Sequence, residues 1–253
     1  MARSFKSIAL LMLAAAVLAT AGTQPEKLRV LVEDAAEPFS NADGSGYANE
    51  VVVAAFAAAG VNVELAVVPY ARCKALVLAG VEAACFSMSR EPGLQGAVKF
   101  AQIPLFSVTP VYYQSRRHPL KASKESELGV GVTIGIVNGY EYPDSAMKAR
   151  ERGANLVVAR SEQINLKKLA AGRLDAALVM DNPLHGARQW AQEAGVDQQV
   201  VATFASARQD SYIGFSLKHP QGEWALAEFN RGYALILADG RHKKIAERWG
   251  AAR

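Results

Sequence analysis

The sequence predicts an α/β fold in two lobes, each with a mostly parallel sheet flanked by helices. A short unit occurs twice, at residues 78–84 and 170–177, and each copy joins a helix-like run to a strand-like run. Such runs alternate with short connections in both halves, which favours right-handed parallel βαβ units. Two extended segments, 109–114 and 212–217, have the character of connectors. They predict a chain that leaves the first lobe, builds the second and returns.

The first 21 residues have the pattern of a cleavable export signal. Arg3 and Lys6 precede an apolar run, residues 8–18, that is too short for a spanning helix, and Ala19-Thr20-Ala21 forms an A-x-A cleavage site. We expect cleavage before Gly22, with an uncleaved membrane anchor as the alternative. No Cys follows the apolar run, so a lipid anchor is not expected.

The composition excludes several classes of function. The chain has 28 basic and 24 acidic residues, and removal of the signal leaves a net charge of about +2, which is not a nucleic-acid-binding balance. A hydrophobic content of 51% excludes disorder, and no later apolar run approaches the length of a membrane span. We expect no nucleic-acid partner, no cofactor and no membrane span after cleavage.

The first lobe is predicted to begin with a buried strand at Leu28–Val32, followed by a turn-rich loop at residues 33–46. In chain order, the predicted strands are 28–32, 61–68 and 82–87, and the predicted helices are 50–59 and 70–79. In a parallel sheet this order places ligand-binding groups at the carboxyl ends of the strands.

The strands and helices of the second lobe are predicted to begin with a strand at Thr133–Val137. Its further strands are 155–158 and 175–180, its helices are 144–152, 161–171 and 182–194, and closing helices follow at 222–237 and 241–249. The expected domains are a signal peptide (1–21), a discontinuous lobe 1 (22–112 and 214–253) and lobe 2 (113–213).

Cys73 and Cys85 are the two cysteines of a chain predicted to be exported, where a disulfide can persist. Cys73 lies near the start of a predicted helix and Cys85 near the end of the following strand, and these ends share one edge of a parallel sheet. That geometry allows a bridge, and two free buried thiols are the alternative. Without a C-x-x-C motif, a structural role is favoured over a redox one.

Several short motifs occur in an ordered series from residue 28 to residue 250: Glu37-Pro38-Phe39-Ser40, Val68-Pro69-Tyr70-Ala71-Arg72, the repeated unit, Gly139-Tyr140 and Lys244–Trp249. In this order and spacing the chain resembles bacterial extracellular solute-binding proteins of family 3, a periplasmic class that includes amino-acid receptors of ABC transporters. The resemblance implies a type II periplasmic binding fold with two hinge strands, a periplasmic location, a monomer and a small-molecule ligand. An ABC permease partner is implied by the resemblance alone.

In the first lobe, Phe39, Tyr70 and Arg72 are candidate ligand contacts. Phe39 lies in the loop after the first strand, where its ring would cover a ligand or pack on its own lobe. Tyr70 and Arg72 start the helix after the second strand, where a guanidinium would pair with an anion or face solvent.

Ser87, Ser89 and Arg90 follow the third predicted strand and would place two hydroxyls and a guanidinium at the cleft. The resemblance implies an Arg nearby that grips a ligand carboxylate in a bidentate fashion. Leu94 occupies that position here. Arg90 is therefore the candidate replacement, and an amino-acid ligand is only one of the readings that remain open.

In the second lobe, Asn138, Gly139 and Tyr140 lie between a strand and a helix, where backbone N–H groups would hold an anion or simply form a turn. The resemblance implies that Asp181 pairs with a ligand amino group. Read without the family, Asp181 is a helix N-cap, and both roles can coexist.

The sequence carries few enzymatic signals. The four histidines are scattered, and we expect no metal site and no catalytic residues. Three hypotheses remain. An amino-acid receptor predicts Asp181 and an Arg at one pocket; a receptor for another solute predicts a pocket lined by Phe39, Tyr70, Tyr140 and Tyr142. A dehydratase-type enzyme, the least favoured, predicts a cleft carboxyl with a raised pKa, with Glu37 and Glu141 as weak candidates.

Overall fold

The structure is a computed structural model that describes residues 27–251. These residues form ten strands and seven α-helices. The predicted export signal lies outside these residues. The strands are β1 (Leu28–Glu33), β2 (Val63–Val68), β3 (Ala84–Met88), β4 (Val98–Phe100), β5 (Phe106–Ser115), β6 (Thr133–Val137), β7 (Asn155–Ala159), β8 (Ala176–Asp181), β9 (Val200–Ala205) and β10 (Gln209–Ser216). The helices are α1 (Tyr47–Ala58), α2 (Tyr70–Ala79), α3 (Asp144–Glu151), α4 (Glu162–Ala170), α5 (Ala187–Glu193), α6 (Gly222–Ala238) and α7 (Arg241–Arg248).

The strand order, β2-β1-β3-β10-β5-β8-β6-β7, divides the fold into two halves. In one half β1 pairs in parallel with β2 and β3, and in the other β6 pairs in parallel with β7 and β8. We call β1–β4 with α1, α2, α6 and α7 lobe 1, and β6–β9 with α3–α5 lobe 2. The prediction of a two-lobed α/β fold is confirmed, whereas its exact domain limits stay a prediction.

The two long strands β5 and β10 link the lobes. They pair with each other over three positions only, from Gln209 opposite Val108 to Ser211 opposite Phe106. Beyond that crossing, β10 continues antiparallel to β3 in lobe 1 and β5 continues antiparallel to β8 in lobe 2. Both predicted connectors are therefore strands of the one continuous sheet. In each lobe, one antiparallel strand lies beside the parallel set.

The largest apolar cluster runs through both lobes, and each lobe adds a smaller cluster of its own. In lobe 1, α1 packs on α6 so closely that a Cβ on Gly232 would lie 1.8 Å from the Ala55 carbonyl oxygen. Phe56 and Phe229 are fully buried between these helices with ring centroids 5.4 Å apart, and burial of each ring stabilises the fold by about 1.5–3 kcal/mol. Around α4 and α5, lobe 2 buries Leu166, Leu169 and Trp190.

The main error in the predicted elements is the helix expected at 182–194, because α5 begins only at Ala187. Residues 182–186 form a turn in which the Asn182 side chain accepts hydrogen bonds from the backbone N–H groups of Leu184 and His185. The predicted strand 61–68 likewise begins at Val63. The short strands β4 and β9 were not predicted, and each lies outside the main strand order, on β10 and β5.

A disulfide joins Cys73 of α2 to Cys85 of β3, with a Cα–Cα distance of 5.7 Å. Both cysteines are fully buried, beside Leu31 and Val77. The bridge fixes the helix that starts at Tyr70 to the strand that leads to Ser87, so it holds one wall of the cleft in place. Among the described residues no helix has the length and apolar character of a membrane span.

Candidate ligand-binding cleft

A cavity of about 50 Å³, measured as the space open to the centre of a water-sized sphere, lies between the lobes. Lobe 1 lines it with Glu33, Glu37, Phe39, Ser87 and Ser89, and lobe 2 with Tyr140, Glu141, Glu162, Asn182 and Trp190. The linking strands add Phe106, Gln209 and Ser211. The walls are therefore aromatic and acidic, and the cavity has room for a small ligand or several waters.

Two buried carboxyls face this cavity from opposite lobes. Glu33 ends β1 and is 2% exposed, and Glu162 begins α4 and is 4% exposed. Burial raises the pKa of each to about 8, since an ionised carboxylate loses its hydration there. Hydrogen bonds from the Tyr140 hydroxyl to Glu33 (2.5 Å) and from the Met180 N–H to Glu162 (2.6 Å) oppose the rise without cancelling it.

Glu141 of lobe 2 is a third buried carboxyl, but its partners lie in lobe 1. It accepts hydrogen bonds from the Tyr70 hydroxyl at 2.6 Å and from the Ser89 N–H at 3.3 Å. The Lys74 ammonium lies 2.8 Å away. Burial lowers the pKa of Lys74, but the carboxylates of Glu141 and Glu91 raise it by more, which keeps the ammonium charged. Unlike Glu33 and Glu162, Glu141 therefore has a cation beside it.

Three consecutive residues, 139–141, make the contacts of lobe 2 with lobe 1, and we call this segment the clasp. Tyr140 bonds Glu33 and stacks edge-on against Tyr70, with ring centroids 5.5 Å apart. Gly139 has φ +83° and lies so close to α2 that a Cβ would be 2.8 Å from the Ala71 Cα. A glycine is needed there both for the left-handed backbone and for the close approach.

Two hydroxyls at the cavity lack normal hydrogen-bond partners. Ser211 Oγ has none, although the residue is 2% exposed. Ser87 Oγ lies near enough to Glu33 to lower its pKa but makes no hydrogen bond of normal geometry with it. Ser87 is also the one non-glycine residue of the described chain with a positive φ, +75°. Buried unsatisfied groups and strained backbone are features typical of binding sites.

Phe39 and Phe106 form a stacked pair at the cavity wall, with ring centroids 3.7 Å apart and planes within 4°. The pair also lines a second, outer pocket, which holds Asp181 and Arg208. The two rings therefore separate the inner cavity from the outer one.

The structure brings four of the predicted site residues to the inner cavity: Phe39, Ser87, Ser89 and Tyr140. Gly139 belongs to the clasp, and Tyr70 does not line the cavity but contacts Glu141 and Tyr140, which do. Tyr142 lies away from the cavity, where its hydroxyl accepts a hydrogen bond from the Val137 N–H.

Four other predicted residues do not reach the cavity. Arg72 is exposed because α2 turns Cys73 and Val77, four residues apart, toward the core. Arg90 is exposed over the Tyr212 ring, 4.5 Å from its centroid.

Asn138 is likewise exposed. Asp181 accepts a hydrogen bond from the Ala187 N–H at 2.7 Å, as a capping residue would, and faces the outer pocket. Leu94, the residue that the sequence resemblance aligns with a carboxylate-binding Arg, is 1% exposed in the lobe 1 core. No Arg, Lys or His of residues 27–251 lines the inner cavity.

Sequence reasoning missed Glu33, Glu162 and Ser211 as site residues. Glu33 directly follows an apolar strand, at the sheet edge where ligand groups are expected, and that signal was available. Glu162 follows Ser161, whose hydroxyl caps α4 by accepting from the Ile164 N–H, so its sequence context is that of an ordinary acidic residue in the first turn of a helix. Nothing in the sequence distinguishes Ser211.

No protein-family model matches the chain, and no curated protein matches it in sequence. Solved structures do match. A histidine kinase sensor domain with similarity to periplasmic binding proteins has a TM-score of 0.72 at 19% identity, over 88% of this chain and 95% of that one. The arginine-, lysine-, histidine-binding protein ArtJ from Geobacillus stearothermophilus has a TM-score of 0.71 at 17% identity, over 88% and 95%. The ancestral amino acid-binding protein AncCDT-1, a precursor of cyclohexadienyl dehydratase, has a TM-score of 0.67 at 17% identity, over 88% and 94%. The chain therefore has the two-lobed fold of periplasmic binding proteins.

Proposed function

We propose that this chain is a periplasmic solute-binding protein of family 3 that captures a small polar solute, an amino acid or a related compound, between its lobes. The observation that carries the proposal is a cavity walled by both lobes and held shut by the clasp, residues 139–141. Such contacts exist only when the lobes are together. A solute that touches both walls therefore stabilises the closed arrangement.

The movement belongs to the two linking strands. Because β5 and β10 pair with each other over only three positions, small backbone changes near residues 106–108 and 209–211 would swing one lobe against the other. Opening would release the clasp and expose the cavity to solvent. Gln209 lies at this hinge and donates to the Glu141 carbonyl oxygen at 2.8 Å, which ties the hinge to the clasp.

The proposal includes export by the N-terminal signal, a monomer, and lobes at 22–112 with 214–253 and at 113–213. The closed form would be presented to an ABC permease. The alternatives are a sensory or orphan role and a solute other than an amino acid. A histidine kinase sensor domain of similar fold supports the sensory alternative. Permease delivery predicts that the closed form, and not the open one, stimulates transport.

The test is a thermal-shift screen against amino acids, amines, organic acids and small sugars, followed by small-angle X-ray scattering. A ligand that binds only the folded state raises the melting temperature by mass action. We expect a bound solute to raise the melting temperature. It should also reduce the radius of gyration, or keep it at the value of the closed structure. If no solute of any class raises the melting temperature, the proposal is wrong.

A dehydratase-type enzyme is the second candidate, favoured by the raised pKa values of Glu33 and Glu162 at the cavity. A neutral carboxyl can protonate a departing hydroxyl as a general acid. The test is to incubate the protein with a cyclohexadienyl substrate and follow product formation by NMR. Turnover that is lost in Glu162→Gln and kept in Glu151→Gln, a change at an exposed site on α3, would support catalysis. Absence of product would leave binding as the function.

A further inference from the structure

The charges that line the inner cavity are of one sign. Glu33 and Glu162 face it from opposite lobes, and Glu37 and Glu141 add two further carboxyls to its wall. Glu33 and Glu37 each raise the pKa of Glu162 by charge repulsion, so the three carboxyls are close enough to interact. Lys74 pairs with Glu141 and with Glu91, which does not line the cavity, so Glu33, Glu37 and Glu162 are left without it. The cavity therefore carries acidic groups from both lobes with no protein cation to match them among the described lining residues.

A second, independent observation points to a ligand at these carboxyls. Ser211 Oγ is buried at the cavity wall without a hydrogen-bond partner, and Ser87 Oγ lacks one of normal geometry. A buried hydroxyl without a partner costs about 1–3 kcal/mol, which a ligand N–H group would recover. Each hydroxyl can accept such a bond because a serine oxygen has two free lone pairs.

The remaining walls suit a positive charge as well. The rings of Phe39, Phe106, Tyr140 and Trp190 line the same cavity, and aromatic faces attract ammonium and guanidinium groups. Recognition of a ligand carboxylate would need a donor such as a guanidinium, and both Arg72 and Arg90 are directed elsewhere. A ligand carboxylate would find no such donor in this cavity, and Glu33 and Glu162 would repel it whenever they are ionised.

We infer that the cleft selects a small organic cation, an ammonium or guanidinium group without an obligatory carboxylate, and holds it between Glu33 and Glu162. The inference rests on the proposed function, capture of a solute between two lobes, and narrows its ligand. The cation is bound by ionised carboxylates, whereas without it the same groups are protonated below about pH 8. Binding therefore releases protons, and affinity rises with pH.

The first experiment compares matched ligands by isothermal titration calorimetry. The pairs are agmatine with arginine and cadaverine with lysine, in which the first member lacks the carboxylate, and choline with its neutral isostere 3,3-dimethylbutan-1-ol. We expect at least one cation to bind about tenfold or more tightly than its partner, because the partner adds a repelled carboxylate or lacks the charge. An amino acid that binds as well as its amine, or a neutral isostere that binds as well as choline, would overturn the inference.

The second experiment uses the best cation with variants. Glu33→Gln and Glu162→Gln should each weaken binding about tenfold or more, since a charge-assisted bond is lost in a low-dielectric site. The control, Glu151→Gln, changes an exposed carboxyl of lobe 2 and should bind as the wild type does. Unchanged melting temperatures at pH 5.5 would show that the variants fold. Full affinity in both cavity variants would contradict the inference.

The pH dependence gives a third readout. The titratable groups that face Glu33 are Tyr140, Asp34 and Glu141, and the Ser87 hydroxyl lies beside them. None of them brings a positive charge to that carboxyl. We expect the affinity for the cation to rise from pH 6 to pH 8.5, and a flat profile would count against bound ionised carboxylates.

The two proposals fail in different ways. If none of the three cations binds but an amino acid, organic acid or sugar raises the melting temperature, the inference is wrong and the proposed function stands. If no solute of any charge binds, both are wrong.

Discussion

Replacement of Glu162 with glutamine tests the central physical claim, that the cleft carboxyls are neutral when no cation is bound. Glutamine keeps the side-chain oxygen that accepts the Met180 N–H and removes only the ability to ionise. At pH 5.5 we expect the free energy of unfolding of the variant to lie within about 2 kcal/mol of that of the wild type. The difference should grow as the pH rises.

The magnitude follows from the pKa. Burial raises the pKa of Glu162 from 4.5 to about 8, so the folded state holds this proton more tightly than the unfolded chain does. The contribution to stability is complete below pH 4.5 and is lost as the pH rises through about 8. At about 1.4 kcal/mol per pH unit, the wild type loses about 5 kcal/mol over this window through Glu162, and the variant does not.

The assay is urea unfolding followed by tryptophan fluorescence at pH 5.5, 7, 8.5 and 9.5, without ligand. The two unfolding free energies should diverge with pH until the variant is the more stable by several kcal/mol. Glu151→Gln, at an exposed position on α3, should follow the wild-type profile. Parallel profiles for Glu162→Gln and the wild type would mean that the carboxyl is already ionised at neutral pH, which would refute the reasoning.

Two further changes test the clasp and the disulfide. Gly139→Ala and Gly172→Ala both place a side chain at a positive φ, and each should lower the free energy of unfolding by about 1–2 kcal/mol. The added Cβ at Gly139 would meet the other lobe, whereas that at Gly172 would meet nothing within 4 Å. Only Gly139→Ala should therefore enlarge the radius of gyration in small-angle X-ray scattering; equal radii would mean that the clasp does not control closure. Replacing Cys73 and Cys85 with serine removes a bridge across a sequence separation of 12, so the free energy of unfolding should fall by about 3 kcal/mol, and a loss below about 1 kcal/mol would contradict a structural role.

The inner parallel strands β1, β3 and β8 were predictable because their side chains are mostly buried on both faces, which gives continuous apolar runs. β1 is buried at five of its six positions, and its sequence, LRVLVE, carries that signal directly. β9 reads VVATFA and is mostly half-exposed, so its burial pattern lacks a strong period. Its place on β5 depends on a partner almost ninety residues earlier in the chain, which local patterns do not encode.

A residue of the candidate site was predictable only where its position relative to the end of a strand is enough to place it at the cavity. Phe39, Ser87 and Ser89 follow strands at the carboxyl edge of the lobe 1 sheet, and all three line the cavity. Arg72 and Arg90 follow strands too, yet neither lines the cavity. Arg72 lies on the exposed face of α2, and Arg90 stacks over the Tyr212 ring. Side-chain direction after a strand depends on tertiary packing, so residue type and position alone misplace long side chains.

The buried carboxyls divide into two kinds, and the division links closure to ligand choice. Glu141 carries its own cation, Lys74, and joins the lobes whatever the ligand is. Glu33 and Glu162 have no such partner, and charging them without one is unfavourable in a closed cleft. A cation would let Glu33 and Glu162 ionise while it bridges the lobes, and these contacts would stabilise the closed state. An anion would be repelled by the same carboxylates and would oppose closure. The clasp therefore sets the geometry of the closed state, and the unpartnered carboxyls decide which solute stabilises it.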